Sequence, residues 1–333
     1  MSRQRYESVD CAKGIGIMLV VFAHVIASHN VGWKIEEIIT SFHMPLFFVL
    51  SGMFFSRKKS FADFIVGKIN RLVVPFFFFY LTISILLPFT YFCYQGTALC
   101  KLPTLLLGFY NENLYIVGAI WFLLSLFFVS IIFWLITVTE KFRYSSAVLF
   151  SVVLGIIGYY IGVNYINLPC WLDTSLTCMP YFAVGYILKN KTLLLTTNIG
   201  NKYNIICFLL SISFVILVAG HTCYRANHFD ISIWRVGVCG MLGFFAVFFV
   251  SNTGIKRNEI IQFIGKNSII ILAIHQLIMM AIAAGLKYIQ IYGWLAAILN
   301  FVFTMVVCCL LIPIMLKYLP MVTGEKNLFE KHE

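Results

Sequence analysis

Long apolar runs separated by short polar breaks fill this chain from end to end. Ten segments read as helices long enough, or nearly long enough, to cross a bilayer: 11–28, 41–56, 72–92, 116–137, 146–163, 174–188, 203–220, 232–251, 267–285 and 294–316. The second and sixth are short for that purpose, which suggests tilt, local thinning or irregular backbone. The stretch 102–110, LPTLLLGFY, is too short to span and reads as interfacial or re-entrant. No internal repeat and no low-complexity linker breaks the series. The pattern therefore predicts an all-α polytopic helical bundle of about ten membrane helices, forming a single membrane domain over 1–333 with no appended soluble domain. The polar, basic start MSRQRYESVDCAKG does not read as a cleavable signal.

Composition strengthens this picture. Apolar residues make up 61% and charged residues 11% of the chain, and mean hydropathy is +0.92, whereas soluble domains are nearer half apolar and a quarter charged. Charge then orients the bundle. With the N-terminus inside, nineteen of the 24 Lys and Arg residues fall on the inner side and five, Lys34, Lys101, Arg225, Arg235 and Lys287, on the outer side. Both termini are accordingly expected in the cytoplasm. The net charge of +11 is spread over several short loops. Orientation and anionic membrane lipids account for it, so nucleic acid is not an expected partner. The basic segment 57–71, RKKSFADFIVGKINR, would also attract an anionic cosubstrate. The ten cysteines carry no metal pattern, and no metal is expected. Cys93 and Cys100 are near enough in sequence for a disulfide, but spacing does not assign connectivity.

Polar residues inside the apolar runs are the informative minority. Eleven residues separate Lys13 from His24, three helical turns plus roughly 20°, so both lie on one helix face about 16 Å apart along the axis. Asp10 stands three residues before Lys13, within pairing reach. Ionisable residues at such depth are costly and mark functional sites by default. For His24 two readings stand: a proton-handling group, or a buried histidine bonded to a neighbouring helix. The second segment opens with His43 and Pro45 and ends near Ser51-Gly52, a small pair that permits close helix approach. His43 is either a second proton-handling group or an interfacial hydrogen-bonding residue. Arg71 begins the third segment with Pro75 one turn on, suited to snorkelling or to holding a phosphate or carboxylate.

Taken together, these residues resemble the acyltransferase-3 family of integral membrane O-acyltransferases. The likeness rests on Asp10, Lys13 and His24 in the first span, on Phe47-Phe48 and Ser51-Gly52 in the second, and on Arg71-Leu72-Val73-Val74-Pro75 at the third. Trp121-Phe122-Leu123 in the fourth span and Gly265-Lys266-Asn267-Ser268 followed by His275 complete it. The form FHMPLFFVLSG is closest to the fucose 4-O-acetylase-like branch. The family's usual Arg is Lys13 here, which replaces a bidentate grip by a point charge.

The resemblance implies transfer of an acetyl group from cytoplasmic acetyl-CoA to a sugar hydroxyl of a cell-surface polysaccharide or its lipid-linked precursor, at the plasma membrane. The partners implied are acyl-CoA, a carbohydrate or lipid-linked glycan, and membrane lipids. His24 would be the central catalytic group, as a general base or as an acyl carrier, with Lys13 and Asp10 positioning the donor. Lys13, Arg71, Trp121 and Ser51 would line the donor site. His43 and His275 would lie on the acceptor side, with an interhelical hydrogen bond as the structural alternative for His275. Two other readings are a succinyl-CoA-dependent transferase and a glycan transporter or flippase. The missing internal repeat counts against transport.

Overall fold

A computed structural model describes residues 6–57, 60–83, 118–137, 145–190, 200–324 and 326–329. Twelve helices carry these residues: α1 (Glu7–Ser28), α2 (Trp33–Thr40), α3 (His43–Met53), α4 (Phe61–Ile83), α5 (Trp121–Ile136), α6 (Ser145–Val163), α7 (Leu172–Asn190), α8 (Asn201–Val218), α9 (Ile233–Ser251), α10 (Glu259–Lys266), α11 (Ser268–Tyr288) and α12 (Gly293–Tyr318). The described strands, β1 (Thr222–Cys223) and β2 (His228–Phe229), form one small antiparallel hairpin. The molecule is an all-α polytopic bundle. Eight helices, α1, α4, α5 with its preceding turn, α6, α8, α9, α11 and α12, are long and apolar enough to cross a membrane. On α6, α8 and α12 large apolar side chains such as Leu149, Leu210, Leu217 and Leu310 point outward, which lipid tolerates and water does not. The 102–110 segment and the Cys93–Cys100 pair lie outside the described residues.

The two short segments of the hydropathy pattern have distinct causes. α3 has eleven residues, and every one except Ser51 is buried. It is apolar all round because protein surrounds it, packed between α1, α7 and α9. A helix without a lipid face has no need to match bilayer thickness. Gly52 makes its close packing feasible: a Cβ there would strike the Phe182 carbonyl on α7, and one on Gly185 would strike the Val49 carbonyl in return. α7 reaches nineteen residues, but polar side chains dilute its apolar character. Thr174 donates to the Tyr224 carbonyl (2.8 Å), Thr177 to Asn227 Oδ1 (2.8 Å), and Ser175 pairs with Ser125 (3.0 Å). These bonds satisfy the groups that would otherwise make the segment too costly to bury.

The third segment starts at Phe61, eleven residues before the expected 72. Ser60 caps it by accepting the Asp63 N–H (3.1 Å) while its hydroxyl donates to the Asp63 carboxylate (2.6 Å). The Ser60 side chain thus satisfies one of the backbone N–H groups that the first helical turn leaves open. Most of the basic 57–71 segment is therefore helix rather than loop. Within α4, residues Ile69–Val73 form a π-helical turn, and the Val74 N–H reaches back five residues to Ile69 O. Pro75 has no N–H to offer the Arg71 carbonyl, so the normal ladder fails at this turn. The sequence RLVVP thus places Arg71 on a widened turn.

α1 is the hub, packing against α2, α3, α9, α10, α11 and α12. Its crossing with α10 relies on two glycines. Side chains at Gly14 and Gly265 would meet the Ile261 and Asp10 carbonyls respectively. Gly265 opens the Gly-x-x-Ser motif, so the motif's first position serves packing against the start of α1.

Candidate active site

Two chambers lie against the same face of α1. The first has a volume of about 500 Å³, and Asp10, Lys13, Ser51, Lys68, Arg71 and Lys266 are the residues that give it character. Four cations converge there on one polar pocket, an arrangement suited to a polyanion. Lys13 stands over the Phe54 ring at 5.0 Å from its centroid, which holds a flexible ammonium in place. A narrow apolar neck of about 170 Å³ continues from it past Ile17, Phe47, Phe122 and Leu272, sharing Lys13, Ser51 and Lys266 with the basic chamber.

The second chamber, also about 500 Å³, lies further along the same face of α1, at Val20 and His24. Val20, His24, His43, Met44, Trp121 and Gln276 line its deep end, and Glu36, Glu37, His221 and Arg225 its mouth. Four helices contribute to both spaces. α1 gives Lys13 and Ile17 to one side and Val20 and His24 to the other. α3 divides between Ser51 with Phe47 and Met44 with His43, and α11 between Leu272 and Gln276. On α5 the Trp121-Phe122-Leu123 motif straddles the boundary, with Trp121 in the histidine chamber and Phe122 and Leu123 on the neck. Trp121 therefore does not line the basic chamber, where a donor-site role would place it. As the first residue of α5 it adjoins Phe122, which lines the neck, but faces the other chamber.

Two imidazoles, His24 and His43, line the deep end of the second chamber, and a third, His275, is buried beside His24. His24 faces the cavity, and its ring lies 5.4 Å from the ring of His275, at 33° between planes. His275 is fully buried. Its Nδ1 lies 2.9 Å from Ile271 O and 3.0 Å from Leu272 O. Carbonyls only accept, so Nδ1 carries the proton and Nε2 is left as an acceptor. That Nε2 is buried without a hydrogen-bond partner among the described residues. The bond at His275 is thus within its own helix rather than between helices, and the unmatched nitrogen is the feature that calls for a role. His43 repeats the pattern: its Nδ1 donates to Ile39 O at 2.9 Å, which leaves its Nε2 as the acceptor nitrogen.

The mouth of the histidine chamber comes from segments with no apolar run. α2 supplies Glu36 and Glu37, and Lys34 pairs with Glu37 at 3.1 Å. Burial raises the Glu36 carboxyl above the usual carboxylate range, against the opposing effect of His221, and Glu37 raises it further. The β1–β2 hairpin carries Tyr224 and Arg225 at its turn. Gln276 accepts the Ala119 N–H at 3.2 Å and so fixes the approach to α5. Glu36, Glu37, Arg225 and Gln276 were not among the residues singled out from sequence. The charged cluster Trp33-Lys34-Ile35-Glu36-Glu37, in a chain so poor in charge, was the available signal. Lys266 was visible only as a motif position.

A family model described as an acyltransferase domain, that of the acyltransferase-3 family, matches residues 6–313. No curated protein and no solved structure matches the chain.

Proposed function

The chain belongs to the acyltransferase-3 family, a membrane acyltransferase by that membership, and from this premise we propose that it carries an acetyl group from acetyl-CoA in the basic chamber to a sugar hydroxyl in the histidine chamber. The observation that supports this reading is the succession of two chambers along one face of α1, with Lys13 in one and His24 in the other. Phosphates of the donor fit the Lys13, Lys68, Arg71 and Lys266 cluster. The apolar neck accepts the thioester arm, which brings its acyl carbon toward His24.

At His24 the acceptor hydroxyl would lose its proton to the imidazole as oxygen attacks the thioester carbonyl, and the thiolate would leave as CoA. The unmatched lone pair on His275 Nε2, in a ring 5.4 Å from that of His24, could take a His24 N–H after a small ring rotation, and would then orient the His24 ring with its basic nitrogen toward the cavity. His275 is in this account a positioning residue. The glycan acceptor, as a polysaccharide unit or a lipid-linked precursor, would enter by the mouth at Glu36, Glu37 and Arg225. The fucose 4-O-acetylase-like branch and a plasma-membrane location with cytoplasmic termini are part of the same proposal, supported by the FHMPLFFVLSG sequence and the basic bias.

Proteoliposomes supplied with labelled acetyl-CoA and either a soluble glycan or a lipid-linked sugar test the proposal. Label is expected on the acceptor in an ester that mild base removes. Acyl-CoA consumption by water alone, with no labelled acceptor from either class, would overturn the acceptor assignment.

A further inference from the structure

The β1–β2 hairpin at the mouth of the histidine chamber holds a group of side chains that the acyl-transfer account does not use. His221 precedes β1, His228 lies in β2, and Asp230 follows it. The Asp230 carboxylate bridges the two rings, with His221 Nδ1 at 3.0 Å from Oδ2 and His228 Nε2 at 2.9 Å from Oδ1. The candidate ligand atoms of all three residues fall within 4.8 Å of one another. The backbone fixes this meeting. Thr222 pairs with Phe229 and Cys223 with His228, and the Asp230 N–H closes the hairpin on His221 O at 3.2 Å. The Tyr165 ring packs against His228 at 5.1 Å between centroids, which restrains that imidazole.

We propose that His221, His228 and Asp230 form a binding site for Zn²⁺. Two imidazole nitrogens and one carboxylate oxygen suit a borderline metal, whereas Mg²⁺ and Ca²⁺ prefer all-oxygen sets. A tetrahedral zinc with bonds near 2.0–2.2 Å needs its ligand atoms roughly 3.3 Å apart. Each imidazole nitrogen already lies 2.9–3.0 Å from one Asp230 oxygen, His221 from Oδ2 and His228 from Oδ1, so a small turn of the carboxylate presents one oxygen to both. The separation between the rings closes by side-chain rotation, because the His221 and Asp230 side chains are 56% and 57% exposed. Three protein ligands leave a fourth position for water or an incoming oxygen. The structural consequence of binding is local. The residues between the ligands include Tyr224 and Arg225, which line the chamber. A metal at the base of the hairpin would hold those two side chains in place.

The test uses full-length protein in detergent micelles, freed of any affinity tag and stripped of metal with EDTA. Co²⁺ titration is expected to give the intense visible bands of a tetrahedral site at one equivalent per chain, bleached by Zn²⁺. His221→Ala and His228→Ala should each lower Co²⁺ affinity by at least the ~10–100-fold that loss of an outer-shell partner costs elsewhere. Asp230→Asn keeps the hairpin shape and should also weaken binding. Thermal unfolding separates ligand loss from misfolding: the variants should match the wild type in EDTA and lack the upward shift that Zn²⁺ gives the wild type. Wild-type protein that binds neither ion, or variants that bind Co²⁺ as tightly as the wild type through its cysteines or elsewhere, would overturn the site. None of these readouts depends on acyl transfer.

Discussion

The basic chamber and the histidine chamber are of equal size and share four helices, yet their chemistry is opposite. One gathers permanent cations, Lys13, Lys68, Arg71 and Lys266, around a polar opening. The other gathers imidazoles, an indole and carboxylates. The first can attract and hold a charged molecule, and no imidazole lines it. The second is lined by the imidazoles of His24, His43 and His221 and has a mouth of mixed charge, suited to a neutral polyol. In the proposed scheme binding and proton transfer fall to separate spaces on one face of α1, and the apolar neck extends from the basic one. Variants in the two chambers should therefore fail in different ways.

The largest effect is expected at His24. His24→Ala should lower the rate of transfer by about 10²–10⁴-fold, the span of general-base catalysis, and leave the KM for acetyl-CoA within a few-fold of wild type. Lys13→Ala should do the reverse. The lost charge-assisted contact corresponds to about 1.5–3 kcal/mol, so KM for acetyl-CoA should rise by roughly 10–100-fold with kcat little changed. Added salt should raise the wild-type KM, and the variant's less. A Lys13→Arg protein should retain tight donor binding.

His275→Ala should reduce kcat by about 10-fold or more without altering the KM for acetyl-CoA, since it removes the lone pair that orients His24 and no donor contact. A His275→Gln protein, whose amide oxygen is still an acceptor, should recover part of that loss, and a merely structural role would show no such difference in kcat. The smallest effect separates the two placements of Trp121. Trp121→Phe should change the KM for the glycan acceptor by a few-fold, within the ~0.5–1.5 kcal/mol of an aromatic contact, and leave the KM for acetyl-CoA unmoved. A change confined to acetyl-CoA would return Trp121 to the donor side.

Much of this arrangement was legible in the sequence, for a physical reason. In a bilayer the cost of polar groups makes each one conspicuous, so Lys13, His24, His43, Arg71 and His275 stood out against apolar neighbours. Helical periodicity then put Lys13 and His24 on one face. What was hidden depended on meetings between distant segments. Nothing local to α5 says that Trp121 falls on one side of a boundary and Phe122 on the other. Glu36, Glu37 and Arg225 belong to connecting segments, where charge is ordinary, and only the fold brings them over His24. The brevity of the 41–56 segment was visible, but its cause, a helix enclosed by protein, appears only with α7 and the Gly52–Phe182 crossing in place. His221, His228 and Asp230 are spread over ten positions, and the hairpin register is what unites them.

The central claim is that donor binding and proton transfer occupy different chambers on one helix face. Equilibrium titration of labelled acetyl-CoA into nanodisc-embedded His24→Ala and Lys13→Ala proteins tests it most directly. The expected result is that the His24→Ala protein binds acetyl-CoA with wild-type affinity while transferring about 10²–10⁴-fold more slowly, and that Lys13→Ala binds roughly 10–100-fold more weakly. Equal loss of affinity in both proteins, or wild-type affinity in Lys13→Ala, would contradict it.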